Sequence, residues 1–203
     1  MSEDSFEIRI DDDELVHARV GDILCWHGVG LYSARTPFNS TVMVRAMWLH
    51  GVAEIAIALE SPRRPDVTVL IDRLDAYLVS LYPAESNHLL DIEALADGSV
   101  RFFVGRQRGE ALGCGALRID VTGYGEVKRM FVLPAARGLK IGKRILQRIE
   151  DQARAEGINY LRLEAGIRQP EALGLYRSAG FIEREAFGDY KPDPLSVFME
   201  KAL

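Results

Sequence analysis

One stretch limits what this chain can become: Val132-Leu133-Pro134-Ala135-Ala136-Arg137-Gly138-Leu139-Lys140-Ile141-Gly142, followed by an amphipathic run that ends at Gly157. The residues leading into it, from Glu126 to Leu133, alternate as a strand, and Pro134 ends that strand because it has no N–H for a ladder. Beyond it, Ile141, Ile145, Leu146, Ile149 and Ala153 fall on one stripe of a helix. A strand, a glycine-bearing turn and a helix in that order call for layers of sheet and helix. They also aim turn amides and a helix N-terminus at one point, which is a seat for an anion.

At 203 residues and 48% hydrophobic, the chain can build one full core but not two large ones. Its net charge of -5 argues against a general nucleic-acid binder, which needs a basic face. Cys25 and Cys114 fit neither a disulfide framework nor a paired metal spacing, so free thiols in a reducing compartment are expected. His17, His27, His50 and His88 form no zinc-type pair, and no metal is assigned. No apolar run approaches the ~20 residues of a membrane span. The acidic start (Glu3, Asp4, Glu7) is unlike a secretory leader, and a cytoplasmic protein without membrane or nucleic-acid partners is expected.

Residues 1–53 carry a net charge of -4, leaving -1 for the rest, so the acid excess sits outside the strongly patterned part. Phe6 to Ile10 alternates like a short strand, Asp11 to Glu14 is an acidic turn, and Gly21, Gly28, Gly30 and Pro37 interrupt any regular pattern after it. Thr41 to Leu49 is apolar and suits a short helix or strand. This segment is read as an N-terminal extension with low order over much of its length, and residues 54–203 as the working domain. From Glu54 the signals sharpen. Glu54–Leu59 is a strand. Pro65 opens a helix carrying Val69, Leu70, Arg73, Leu74, Tyr77, Leu78 and Leu81 at helical spacing. Ser86 or Asn87 can cap a short helix ending near Asp97-Gly98. Val100–Gln107 and Ala111–Asp120 form a hairpin, Glu126–Leu133 a further strand, and Leu139–Glu156 the long helix. Tyr160–Ile167 is a strand, Pro170–Ser178 a helix, and Phe181–Phe187 with Leu195–Lys201 the last strands. Simple alternation puts Glu126, Lys128, Met130 and Val132 on one face of their strand, and Val127, Arg129, Phe131 and Leu133 on the other. The expected fold is α+β with a mixed sheet, in the order β-α-α-β-β-β-α-β-α-β-β.

That order and three local motifs resemble the GNAT family of N-acetyltransferases, over residues 54–203. The turn Arg137-Gly138-Leu139-Lys140-Ile141-Gly142 is similar to the family's Gln/Arg-x-x-Gly-x-Gly/Ala signature, with Lys140 where the family usually has glycine. The resemblance implies that Arg137, Gly138, Lys140, Ile141 and Gly142 hold the diphosphate of acetyl-CoA. It implies that the strand around Met130 and Val132 splays from its neighbour and pairs with the pantetheine arm. Glu126 aligns with a strand glutamate that some members use as general base. The segment Glu171-Ala172-Leu173-Gly174-Leu175-Tyr176-Arg177-Ser178-Ala179-Gly180-Phe181 resembles the family's Ala-x-x-Leu-Tyr-x-x-x-Gly-Phe, which makes Tyr176 the group beside the sulfur. Gln169 stands where many members have a cofactor-contacting asparagine.

The activity implied is acetyl transfer from acetyl-CoA to a primary amine of a small molecule by direct attack, with no metal. A non-catalytic acyl-CoA-binding regulatory module, or a protein or peptide N-acetyltransferase, are the alternatives. Tyr82, Glu85 and His88, with Asp189 and Tyr190 in the last loop, offer acids and aromatics suited to a cationic acceptor. A homodimer is compatible with this reading. Cys114, inside a strand with no histidine or basic neighbour in sequence, is a poor covalent carrier. Arg144 after Gly142-Lys143 removes a nucleotide-triphosphate loop from consideration.

Overall fold

The computed structural model describes residues 54–203 in full and, before them, the backbone of residues 5–11, 14–19, 23–26 and 29–33. The chain divides into two compact units, Met1–Ala53 and Glu54–Leu203. In the first, β1 (Ser5–Asp11) pairs antiparallel with β2 (Glu14–Arg19), and β3 (Ile23–Trp26) with β4 (Val29–Ser33). The alternation at Phe6–Ile10 lies within β1, whereas Gly30, read as an interruption, lies inside β4. The apolar run Thr41–Leu49 lies outside the described residues.

The second unit is a mixed sheet of seven strands in the order β10-β11-β9-β8-β7-β6-β5. Its members are β5 (Ile55–Leu59), β6 (Val100–Gln107), β7 (Glu110–Ile119), β8 (Gly125–Val132), β9 (Tyr160–Gly166), β10 (Ile182–Arg184) and β11 (Ser196–Ala202). Every neighbouring pair is antiparallel except β8 and β9. On one face lies α1 (Pro65–Leu81), with Val67, Leu70 and Ile71 packed on Phe102, Val104, Cys114 and Ala116. Pro65 takes the first helical position, where its missing N–H costs nothing. On the other face, α3 (Ile141–Ala155) buries the stripe read from its sequence against Leu117, Val127, Leu161 and Leu163, and α4 (Pro170–Ser178) adds Leu173 and Tyr176.

Three local readings need correction. The short second helix, α2, spans only Ile92–Leu95 and is capped by Asp91, whose side chain accepts from the Ala94 amide at 2.7 Å. Ser86 instead ends a single 3₁₀ turn, Ala84–Ser86. The strand expected over Phe181–Phe187 shrinks to Ile182–Arg184. The third correction shapes the site. In β8, Lys128 faces Ala116 and Phe131 faces Cys114, so two residues of β8 oppose one of β7. Arg129 sits in this bulge at φ 55. The extra residue shifts the phase of the strand. Lys128 and Phe131 therefore share the α1 face, while Met130 and Val132 turn to the α3 core with Val127. Simple alternation had joined Met130 and Val132 to Glu126 and Lys128.

β8 and β9 are in register only at Gly125–Leu161 and Glu126–Arg162. Beyond those pairs the two strands part, although β8 continues to Val132 and β9 to Gly166. The sheet is held together on either side of the gap by the β7–β8 and β9–β11 ladders.

Candidate functional site

Two cavities open along the gap. The larger, about 390 Å³, lies at the C-terminal end of β8 and the start of α3. The turn between them is a 3₁₀ segment, Pro134–Ala136, then Gly138 at φ 90 and Lys140 at φ 59. Two left-handed residues so close together fold the chain back sharply and point successive amides to one side. The amides of Gly138, Lys140, Ile141, Gly142 and Lys143 have no hydrogen-bond partner among the described residues; the first intrahelical bond is donated by Arg144 to Lys140. Arg137, Lys140 and Lys143 stand around them on the cavity lining. Free amides, a helix N-terminus and three cations make a seat for a di-anion. The rest of that lining includes Met130, Val132, Gln169 and Tyr176. The structure thus gathers all the residues expected at the cofactor, and Tyr176, around one space.

The smaller cavity, about 90 Å³, lies on the other side of the gap beneath α1. Met130, Gln169, Ala172, Leu74 and Tyr176 line both cavities, so the two meet there. Tyr176 is buried and its hydroxyl has no hydrogen-bond partner among the described residues. Burial, with the negative charge of Glu164 nearby, pushes its phenol well above the usual range, so it stays protonated. Gln169 lends its side-chain oxygen to the Gly166 amide at 3.2 Å, which fixes it at the junction.

Of the expected acceptor residues, Tyr82 and His88 line the smaller cavity, and Glu85 and Asp189 do not. Tyr82 accepts the Arg168 amide at 2.8 Å, and it reaches that position because Gly166 has no side chain: a Cβ there would lie 2.1 Å from the Tyr82 oxygen. Tyr190 is one step back. Its ring meets His88 edge-on at 4.9 Å, its hydroxyl donates to Glu126 Oε1 at 2.6 Å, and the Lys128 ammonium donates to it. Glu126 is buried and lines neither cavity. It accepts also from Arg118 at 3.2 Å and pairs with Lys128 at 3.1 Å. Cys114 is fully buried under α1, its thiol pushed up to about 12 by burial, and it lines neither cavity; a covalent route has no access to it.

Several lining residues escaped the sequence reading. Glu164 on β9 faces the smaller cavity and accepts the Ser196 hydroxyl at 2.6 Å through Oε1. Its signal was present: on β9 the apolar Leu161, Leu163 and Ala165 alternate with Arg162 and Glu164, so a carboxylate falls on the face away from the α3 core. Lys128 and Arg129 also line this space. Arg129 could not be placed there without the bulge. Its terminal nitrogens reach the Asp75 carboxylate and the Leu90 carbonyl oxygen.

Residues 68–181 match the acetyltransferase (GNAT) family model, more than half of the chain, and the protein belongs to that family. It is 57% identical over 150 residues to an IAA acetyltransferase of Azospirillum brasilense, covering 73% of this chain and 98% of that one. Among solved structures, a Klebsiella pneumoniae protein assigned as an acyl-CoA N-acyltransferase shares 38% identity at a TM-score of 0.64, covering 74% of this chain and 99% of its own. The PaiA N-acetyltransferase of Thermoplasma acidophilum, solved with coenzyme A, shares the fold at 20% identity and a TM-score of 0.56, over 74% of this chain and 99% of its own. The protein is accordingly an acetyl-CoA-dependent acyltransferase. Its unpaired amides and basic rim fit a CoA diphosphate, and among the described residues no helix is long and apolar enough to cross a membrane.

Proposed function

We propose that this protein moves the acetyl group of acetyl-CoA to the primary amine of a small molecule by direct attack. One observation carries the reading: a cavity of about 390 Å³ rimmed by free amides and cations and a smaller cavity meet at Tyr176 in the gap between β8 and β9. Acetyl-CoA supplies an activated acyl group and a thiolate leaving group. The chain's own residues do the rest. Arg137, Lys140 and Lys143, with the unpaired amides of Gly138, Lys140, Ile141, Gly142 and Lys143, hold the diphosphate. Gln169 and the backbone of β8 around Met130 and Val132, unpaired toward β9, align the pantetheine arm. An amine attacks only as the free base, so its ammonium proton must leave first. Glu164 is the carboxylate that lines the acceptor cavity and can take that proton. As the tetrahedral intermediate collapses, the C–S bond breaks and Tyr176, kept protonated, can give its proton to the departing sulfur and regain one from the nitrogen, which sheds its second proton on becoming the amide. Glu126, the base expected from the sequence, bears on the cavity through Lys128 and Tyr190, which it holds, and we assign it a positioning role.

The small volume of the acceptor cavity favours a metabolite-sized amine over a protein terminus or lysine. The Azospirillum relative, named for the small molecule IAA, supports that size class. The test is thiol release from acetyl-CoA on adding a panel of amines, with the acetylated product weighed by mass spectrometry. Turnover of at least one small amine is expected. Thermal stabilisation by CoA with no thiol release from any amine or peptide would point instead to a non-catalytic acyl-CoA-binding module.

A further inference from the structure

The charges around the acceptor cavity are divided between its two walls. Lys128 and Arg129 come from β8, and Glu164 from β9. The bulge at Arg129 is what allows two consecutive cations of one strand to border the same space. Their counter-charges stand behind them. Glu126 pairs with Lys128 and Asp75 with Arg129, and neither carboxylate lines the cavity. Glu126 is also shared with Arg118 and Tyr190, so Lys128 has only part of it. On the facing wall, Glu164 spends one oxygen on Ser196 and has no cation paired with it among the described residues.

This division does not match a simple cationic amine. Such a ligand would satisfy Glu164 and bring its positive charge into a space already bordered by Lys128 and Arg129. A neutral alkyl amine would leave both walls unanswered. A molecule with an ammonium at one end and an acid group at the other answers both, because each charge then faces its opposite across a narrow, mostly buried gap. Arg129 adds a second sign of unmet demand. It is more than nine-tenths buried, yet its Nε–H has no partner in the protein. A buried donor left unpaired is destabilising, because it has given up its bond to water without a replacement.

We propose that the acceptor is an amine that also carries an anionic acid group, read by Lys128 and Arg129 while Glu164 takes the ammonium. The proposal rests on the amine-acetyltransferase reading and names its substrate class. Seating the acid on β8 places the amine beside Glu164, on the side of the cavity bordered by Tyr176. The acid group thus orients the nucleophile before proton transfer.

Matched acceptors test it. Amino carboxylates are compared with their amides, and amino phosphonates with their neutral diesters, by thiol release from acetyl-CoA in the wild-type protein. Acid-bearing members should exceed their neutral partners roughly tenfold to a hundredfold in kcat/KM, the range for a hydrogen bond to a charged group. Which acid wins separates carboxylate from phosphonate. In K128Q the ratio of acid-bearing to neutral members should fall toward one, chiefly through a higher KM for the acid-bearing amines. Equal use of neutral and acid-bearing amines by the wild type would overturn the inference and leave the acetyltransferase reading standing. No thiol release with any amine in either set would overturn both. The wild-type comparison decides the matter even where K128Q fails to fold.

Discussion

The two cavities that meet at Tyr176 are built from different materials. The cofactor side is made of backbone: five unpaired amides, a helix end and a splayed strand edge, all supplied by residues close in sequence. The acceptor side is made of side chains from α1 and the turn after it, β8, β9 and the start of β11, which come together only in the folded sheet. A backbone seat tolerates changes of side chain and recognises one constant ligand. A side-chain seat changes with each substitution and can be turned toward different acceptors. The larger consequences of mutation should therefore lie at the junction and on the acceptor side.

The largest is expected at the junction. Tyr176→Phe removes the only polar side-chain atom of a residue bordering both cavities while keeping its packing against Phe181. Loss of a general acid costs about 10²–10⁴-fold in rate, and the fall should appear in kcat while the affinity for CoA is unchanged. A Phe variant with full kcat would show that the two sides need no shared proton donor. Next is Glu164→Gln, which keeps the Ser196 contact and removes the negative charge. Steady-state rates at saturating acetyl-CoA should fall by about 10²-fold, with partial recovery at high pH, where more of the amine is already deprotonated. Glu126→Gln should be milder and show itself mainly in KM for the acceptor, because its effect passes through Lys128. A larger kcat loss in Glu126→Gln than in Glu164→Gln would reverse their roles.

The contrast has a pH consequence. The amides of the cofactor seat do not titrate, whereas Tyr82, Tyr176 and Tyr190 around the acceptor side, and Cys114 beneath it, are all held above their ordinary values, with burial the first cause. For each of them the ionised form prefers the unfolded chain. Their contribution to stability is intact below the unfolded value, about 8.5 for a thiol and about 10 for a phenol. It is lost as pH rises, at about 1.4 kcal/mol per pH unit for each group, until the folded value is reached; for Cys114 that value is about 12. Thermal melts should drop steeply above pH 9, and Cys114→Ala should delay the onset by about 1.5 pH units, the interval between thiol and phenol. Melting temperatures flat to pH 11 would mean that the acceptor side opens to water before it unfolds.

The same difference in materials explains what could be read from the sequence. The strand into Pro134, the turn through Gly138, the stripe of α3 and Tyr176 before Gly180-Phe181 are local patterns, and the structure assembles them as their order suggests. The acceptor wall depended on one bulge. With Arg129 in left-handed geometry, it joins Lys128 on one face and the residues after it in β8 exchange faces, so strict alternation fails from Arg129 onward. Alternation on β9 marks the face Glu164 occupies but not that a cavity lies there. The role of Glu164 follows from β8 and β9 parting after two residue pairs, and no pattern within β9 reports where a neighbouring strand turns away. The shortened α2 was a matter of capping: Asp91, not Ser86 or Asn87, offers its carboxylate to an amide three residues on.

Lys140 gives the smallest expected effect and the finest probe of the backbone seat. The position holds φ 59, a left-handed geometry in which a side chain costs roughly 1–2 kcal/mol and glycine does not. Yet the lysine borders the cavity beside Arg137 and Lys143, where in the proposed function its charge would face the diphosphate. Lys140→Gly should therefore move two readouts in opposite directions. The melting temperature should rise slightly, because relief of strain outweighs the added freedom of the unfolded chain by a few tenths to about 1 kcal/mol. The affinity for CoA should fall about two- to fivefold, with a weaker dependence on salt, as expected when one partly exposed cation leaves an anion site. If both stability and affinity rise, the seat is set by backbone geometry alone and the lysine contributes nothing to it. If both fall, the side chain packs in a way that its left-handed backbone conceals. The expected split would show that strain at this one residue is retained for the sake of a charge contact with the cofactor.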